Sequence, residues 1–121
     1  MLSPLDKKVV SGIPRNYDRD EMLEKIINQV ERDIPVPIMA GFGSSSMTRI
    51  DPKTGEVMLD EAGNAITSKL TQHWVNIVGI TVDKIKGTTM LEVASWGRKY
   101  IVSFDEYYDK SGLLDGVIWV E

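Results

Sequence analysis

One stretch constrains this chain more than any other: Gln72 to Tyr100, QHWVNIVGITVDKIKGTTMLEVASWGRKY. Trp74 to Val82 is rich in Val, Ile and Thr, residues that suit a pleated, packed surface. Its apolar side chains fall on both parities: Trp74, Val78, Ile80 and Val82 on one, Val75 and Ile77 on the other. That pattern predicts a central strand covered on both faces. Asp83 to Gly87 is polar with a glycine and reads as a turn. Met90 to Ser95 is a second strand, and Tyr100 to Ser103 a third after Gly97-Arg98-Lys99. Consecutive strands joined by a short polar loop pair antiparallel. A fold-back centred near Ile85 then brings His73, the chain's single histidine, opposite Ala94 to Trp96, within a residue or two.

The flanking segments read as support for this unit. Asp18 to Glu31 is the best helix. Asp18 and Glu21 have capping-box spacing, and Met22, Leu23, Ile26, Ile27 and Val30 form one apolar stripe at helical spacing. The stripe is expected to bury against a sheet, with Glu24, Lys25 and Asn28 facing water. Asp33-Ile34-Pro35 stops the helix. Pro35 to Ala40 is a short apolar strand whose prolines suit a strand's start or an edge. Gly41 to Ser46 is a glycine- and serine-rich loop, and no helix opens after it to lend a phosphate-binding dipole. Met47 to Leu70 carries two turn clusters, Asp51 to Gly55 and Asp60 to Asn64, around Glu56 to Leu59. It reads as a small β-excursion leading into His73. Its carboxylates lack the alternating spacing of a calcium loop. Ser103 and Glu106 have capping-box spacing for a short helix to Asp109, and Val117 to Val120 is a last strand. Residues 1–17 read as an extended arm or linker with a short strand at Lys8 to Val10, and 18–121 as the folded domain. The fold class is α+β, a mainly antiparallel sheet with one principal helix.

Composition bounds the function. With 121 residues the chain makes one domain with a modest core. A formal charge of −4 without any basic run argues against nucleic acid. No stretch has transmembrane length, and the N-terminus lacks a signal peptide's apolar core. The compartment stays open, and export would need a signal carried by a preceding segment. The absence of cysteine excludes disulfides and thiolate metal sites, and no pattern calls for a metal or cofactor.

A histidine opening a Val/Ile-rich strand, followed by a second strand ending in Ser-Trp-Gly, resembles the C-terminal, sheet half of papain-like cysteine peptidases. The nearest flavour is the bacterial branch related to bacteriocin-processing (double-glycine) peptidases. The pieces run in the family's order: a helix (Asp20 to Glu31), a strand (Pro35 to Met39), His73-Trp74-Val75, Ala94-Ser95-Trp96-Gly97, and a short helix near Phe104 to Tyr108. They cover roughly residues 18 to 110. The resemblance implies a papain-like half-domain, with His73 as catalytic base and Trp96 as the ring that shields it. Two positions depart from the family. Its nucleophile is a cysteine, and this chain has none; its third triad member is Asn or Asp, and that position is Ala94, followed by Ser95.

A lone histidine on an apolar strand is more often structural than catalytic, because a base needs a nucleophile and an orienting group. The expectation is therefore a His-bearing half-peptidase, inactive alone, acting on a peptide or protein only if a Cys-bearing half is supplied elsewhere. The alternatives are a non-catalytic peptide- or protein-binding domain of the same ancestry, and an unrelated α+β interaction domain. Partners would be that Cys-bearing half or a second copy of the chain, since the surface around His73, Trp74 and Trp96 would otherwise be left open and apolar. Ser44 to Ser46 are weak candidates for a substitute nucleophile. Asp105, Glu106 and Asp109 are candidates for an acidic patch.

Overall fold

A computed structural model describes residues 9–40, 45–70, 73–83, 87–95, 97–110 and 116–120. The elements are β1 (Val9–Gly12), a 3-10 turn (Pro14–Asn16), α1 (Arg19–Glu31), β2 (Val36–Ala40), β3 (Ser45–Ile50), β4 (Thr67–Leu70), β5 (His73–Asp83), β6 (Thr88–Ser95), β7 (Arg98–Ser103), α2 (Phe104–Lys110) and β8 (Gly116–Val120). The strands form one sheet in the order β1-β8-β2-β5-β6-β7-β3-β4, antiparallel at every pairing. This is the expected α+β architecture, with α2 as a second, shorter helix.

The sheet is strongly curled, for a covalent reason. β4 lies four ladder steps from β5, which in a flat sheet would be roughly 19 Å at about 4.8 Å per step. Only residues 71 and 72 separate Leu70 from His73, and three peptide units reach at most about 11 Å. The β3–β4 edge must therefore curve back toward β5. The two helices pack on the inner side of this curve. α1 lies against β5, β8 and β2, and α2 against β6, β7 and β3. Met22 and Ile26 of α1, Phe104 and Tyr107 of α2, and Val36, Ile38, Met47, Leu70, Val75, Ile77, Leu91, Val93 and Val102 of the sheet form one buried core.

α1 begins where the sequence places it. Asp18 caps it by accepting the backbone N–H of Asp20, the ordinary way a carboxylate satisfies a first-turn donor. Met22 and Ile26 are buried, and Leu23 and Val30 partly so. Lys25 departs from expectation. Its ammonium lies 5.4 Å from the Trp119 ring centroid and 5.8 Å from that of Tyr17, its stem covering the aromatic pair instead of extending into water.

Two further expectations are corrected. β2 is not an edge strand but sits between β8 and β5. Pro37 pairs with Asn76 on β5, while on the β8 side the ladder holds only Ile38 and Met39. Proline has no N–H to donate, so β8 leaves β2 at that point. β1 lines the other edge of β8, from Val117 to Val120. On the edge that β2 leaves, a side chain takes over: Gln29, 3 % exposed, donates from Nε2 to the Val120 carbonyl at 2.8 Å and accepts the Val120 N–H at Oε1 at 3.0 Å. One amide group thus satisfies the strand end beyond the point where β2 and β8 part. The second correction concerns β5. It is central, but covered on one face only: Trp74 is 48 % exposed and Val78 38 %.

The segment read as an arm is partly built into the sheet, β1 pairing with β8 from Val9↔Val120 to Gly12↔Val117. Residues 1–8 lie outside the described residues. The Met47 to Leu70 excursion consists of β3, β4 and two turn regions tied by the isolated bridges Ile50↔Val57 and Leu59↔Ala65.

Candidate functional site

The pairing of β5 with β6 decides which side chains meet. From the hairpin end the register runs Asp83↔Thr88 to Gly79↔Glu92, then shifts by one to Ile77↔Val93 and Asn76↔Ala94. The extra residue is Val78, a β-bulge next to a glycine. The bulge inverts the parity of β5. Beyond it Ile80 packs toward the core, and before it Val75 and Ile77 do. This accounts for the apolar residues on both parities, which the sequence alone suggested meant burial on both faces.

The bulge also decides the site. In the observed register Ala94 shares the outer face with Asn76, while Ser95, like Val93 and Leu91, is buried on the inner face with Val75 and Ile77. His73 lies two residues before Val75 and so opens β5 on that same inner face. Its Nε2 stands 2.8 Å from Ser95 Oγ. His73 is half-buried, and Ser95 is 9 % exposed. Had the tip register continued unshifted, Ser95 would have stood opposite Asn76, and His73 would have faced outward, away from the hydroxyl.

The corner after β6 is tight. Ser95 pairs with Arg98, and Gly97 has φ +72, a left-handed conformation that suits glycine and is costly for other residues. That is the physical use of the glycine in Ser-Trp-Gly. Trp96, expected to shield the histidine, lies outside the described residues. Ala94, expected to stand where papain-like peptidases carry Asn or Asp, is half-buried on the other face of the sheet from His73.

The remaining candidates do not gather at this corner. Ser44 lies outside the described residues. Ser45 opens β3, which pairs with β4 and β7 and not with β5. Two of the three α2 carboxylates, those of Asp105 and Glu106, are engaged within the fold. Asp105 is paired with Arg19, whose guanidinium also lies 5.4 Å from the Phe104 ring centroid; the Asp105 hydrogen bond raises the Arg19 pKa. Glu106 accepts the Ser46 backbone N–H at 2.9 Å and the Lys110 ammonium at 3.1 Å. The Ser46 hydrogen bond, aided by Lys110, holds its carboxyl below the usual carboxylate range against the opposing effect of burial. The Asp109 carbonyl accepts from Arg15. Ser103 Oγ accepts the Glu106 N–H, the cap expected from the sequence. No cluster of metal-ligating side chains occurs among the described residues, and no described helix is long and apolar enough to cross a membrane.

A groove between Glu24, Lys25 and Asn28 of α1, Arg32 at its C-cap and Trp119 of β8 lies at the far end of β8 from the His73 corner. Its mixed charges favour no particular ligand.

No family model, curated protein or solved structure matches the chain.

Proposed function

We propose that this chain is the His-bearing, sheet half of a papain-like cysteine peptidase, hydrolysing peptide bonds only when a Cys-bearing half supplies the nucleophile. The observation that carries the reading is the hydrogen bond between His73 Nε2 and Ser95 Oγ. It joins a half-buried imidazole at a strand opening to a hydroxyl beside a glycine corner. An imidazole anchored in this way can serve as a general base. Facing a thiol, it would take the Sγ proton and later return it to the leaving amine, while sulfur forms and then loses the acyl bond to water. Alone, the chain has no thiolate and no activity is expected.

The deciding experiment is to read and express the genomic frame extended upstream of the Met1 codon. The reading predicts a cysteine at the start of a helix there. It also predicts thiol-reagent-sensitive cleavage of a peptide substrate by the extended protein, lost in His73→Ala. A frame without cysteine, or cleavage indifferent to His73→Ala, overturns it.

One observation favours a second reading, a non-catalytic peptide- or protein-binding domain of the same ancestry. Trp74 and Val78 remain exposed on the outer side of a central strand, and exposed apolar side chains grouped on one face often mark contact surfaces. Binding of peptides by an extended protein that lacks cysteine would select it.

A further inference from the structure

The family's orienting position is filled by an alanine here, yet the imidazole is held. We propose that Ser95 is the positioning residue of His73: its hydroxyl accepts the Nε2–H and fixes the tautomer in which Nδ1 carries the lone pair. The proposal rests on reading His73 as a base.

Three observations support it. First, register excludes position 94. Ala94 pairs with Asn76 and shares its face, so no short side chain at 94 could reach an imidazole on the inner face. Position 95 is the first on β6 that can. Second, the distance is that of a made hydrogen bond, 2.8 Å between Nε2 and Oγ. Third, the hydroxyl suits both charge states of a base. When the imidazole gains a proton both ring nitrogens become donors, and a partner of Nε2 must then accept. A hydroxyl can, by rotating its own hydrogen away. Ser95 lies within the β6–β7 ladder and is 9 % exposed, so its oxygen is held by backbone pairing and kept largely from water.

The test uses the single histidine of the chain, which makes the imidazole spectrum unambiguous. Long-range proton–nitrogen correlation on the ¹⁵N-labelled chain reads the tautomer directly. The expected result is a predominant Nε2–H form in the parent and in Ser95→Thr. Ser95→Ala should give a tautomer mixture with imidazole N–H exchange faster by roughly tenfold, the scale of one lost hydrogen bond. Adding Ala94→Asn to Ser95→Ala should not restore the parent spectrum. An Nδ1–H form in the parent, a Ser95→Ala spectrum like the parent's, or restoration by Ala94→Asn overturns the proposal. So does a fluorophosphonate adduct on Ser95, which would make the hydroxyl a nucleophile. If Ser95→Ala fails to fold, the tautomers of the parent and of Ser95→Thr decide. An upstream frame without cysteine removes the peptidase reading but leaves this spectrum unaltered, so the two failures are separable.

Discussion

The two faces of the sheet are built from the same strands and differ in almost everything else. The inner face carries Val75, Ile77, Leu91, Val93, Tyr100 and Val102 under both helices. The outer face carries Trp74 and Asn76 in the open, beside the bulged Val78. Composition does not separate them, since Trp and Val occur on the exposed side of β5 as well. What separates them is cover: α1 and α2 both pack on the inner side, and no described element packs on the other. Side chains on the two faces should therefore answer mutation differently.

The largest contrast is expected at Phe104. Its ring is fully buried between α2 and the sheet, and truncation to alanine should cost about 3 to 5 kcal/mol. Urea denaturation of Phe104→Ala would measure it, and a loss below 1 kcal/mol would mean that the inner core is looser than its burial implies.

Gln29 comes next, because it is polar and lies on the covered side. Gln29→Leu keeps most of the volume but leaves the Val120 N–H and C=O without their side-chain partner, at a cost of about 1 to 3 kcal/mol. Hydrogen exchange should show the Val120 amide deprotected while β5 amides keep their rates. Unchanged protection at Val120 would show that the strand end does not depend on this amide.

At the corner, Gly97→Ala meets no atom of the described residues within 4 Å of the added carbon, so its expected effect is that of the left-handed backbone, about 1 to 2 kcal/mol. A smaller loss in thermal unfolding would show that the turn can relax to another conformation.

Glu106 supplies the pH arm. Its folded pKa is depressed, so its contribution is complete above the ordinary carboxylate value and is lost as pH falls through the lowered one. Glu106→Gln should lower stability near neutral pH by about 1 kcal/mol and match the parent in strong acid, where both side chains are neutral. A pH-independent difference between the two would rule out the carboxylate as the cause.

The smallest thermodynamic effect belongs to the outer face. Trp74→Ser should change stability by about 0.5 kcal/mol or less, as at other uncovered surface sites. It should nonetheless weaken any self-association seen by sedimentation at micromolar concentration, because an exposed apolar face is a natural contact. A monomeric parent whose Trp74 is poorly quenched by acrylamide would count against an open outer face.

Much of this arrangement is legible in the sequence, for reasons that are local. The stripe of α1 and the Asp18 cap are neighbour effects along one helix. The β5–β6–β7 meander follows from short polar loops between Val/Ile-rich runs, and a fold-back centre near Ile85 is enough to bring His73 toward Ser95. What is missed depends on partners distant in the chain. Gln29 looks like a solvent-facing break in the stripe until Val120 is placed beside it. Pro37 looks like an edge marker because the early departure of β8 is invisible in the strand itself. The bulge did leave a trace: apolar parity switches across Gly79, from Val75 and Ile77 to Ile80. Parity alone reads equally as a strand buried on both faces. Only the observed ladder distinguishes the two.

The bulge at Val78 makes the effect of a changed residue count depend on where the change falls. Lengthening the β5–β6 tip between Asp83 and Thr88 adds chain where no ladder pair depends on it, and His73 still meets Ser95. Removing Val78 leaves Ile77 beside Gly79, whose partners Val93 and Glu92 are already neighbours, so the ladder closes up regularly and His73 still meets Ser95. Removing Asn76 instead slips every residue before it by one, turning Val75 out of the core and the imidazole away from its partner. Two single deletions two positions apart in one strand thus form an unequal pair of edits, with only one of them reaching the site.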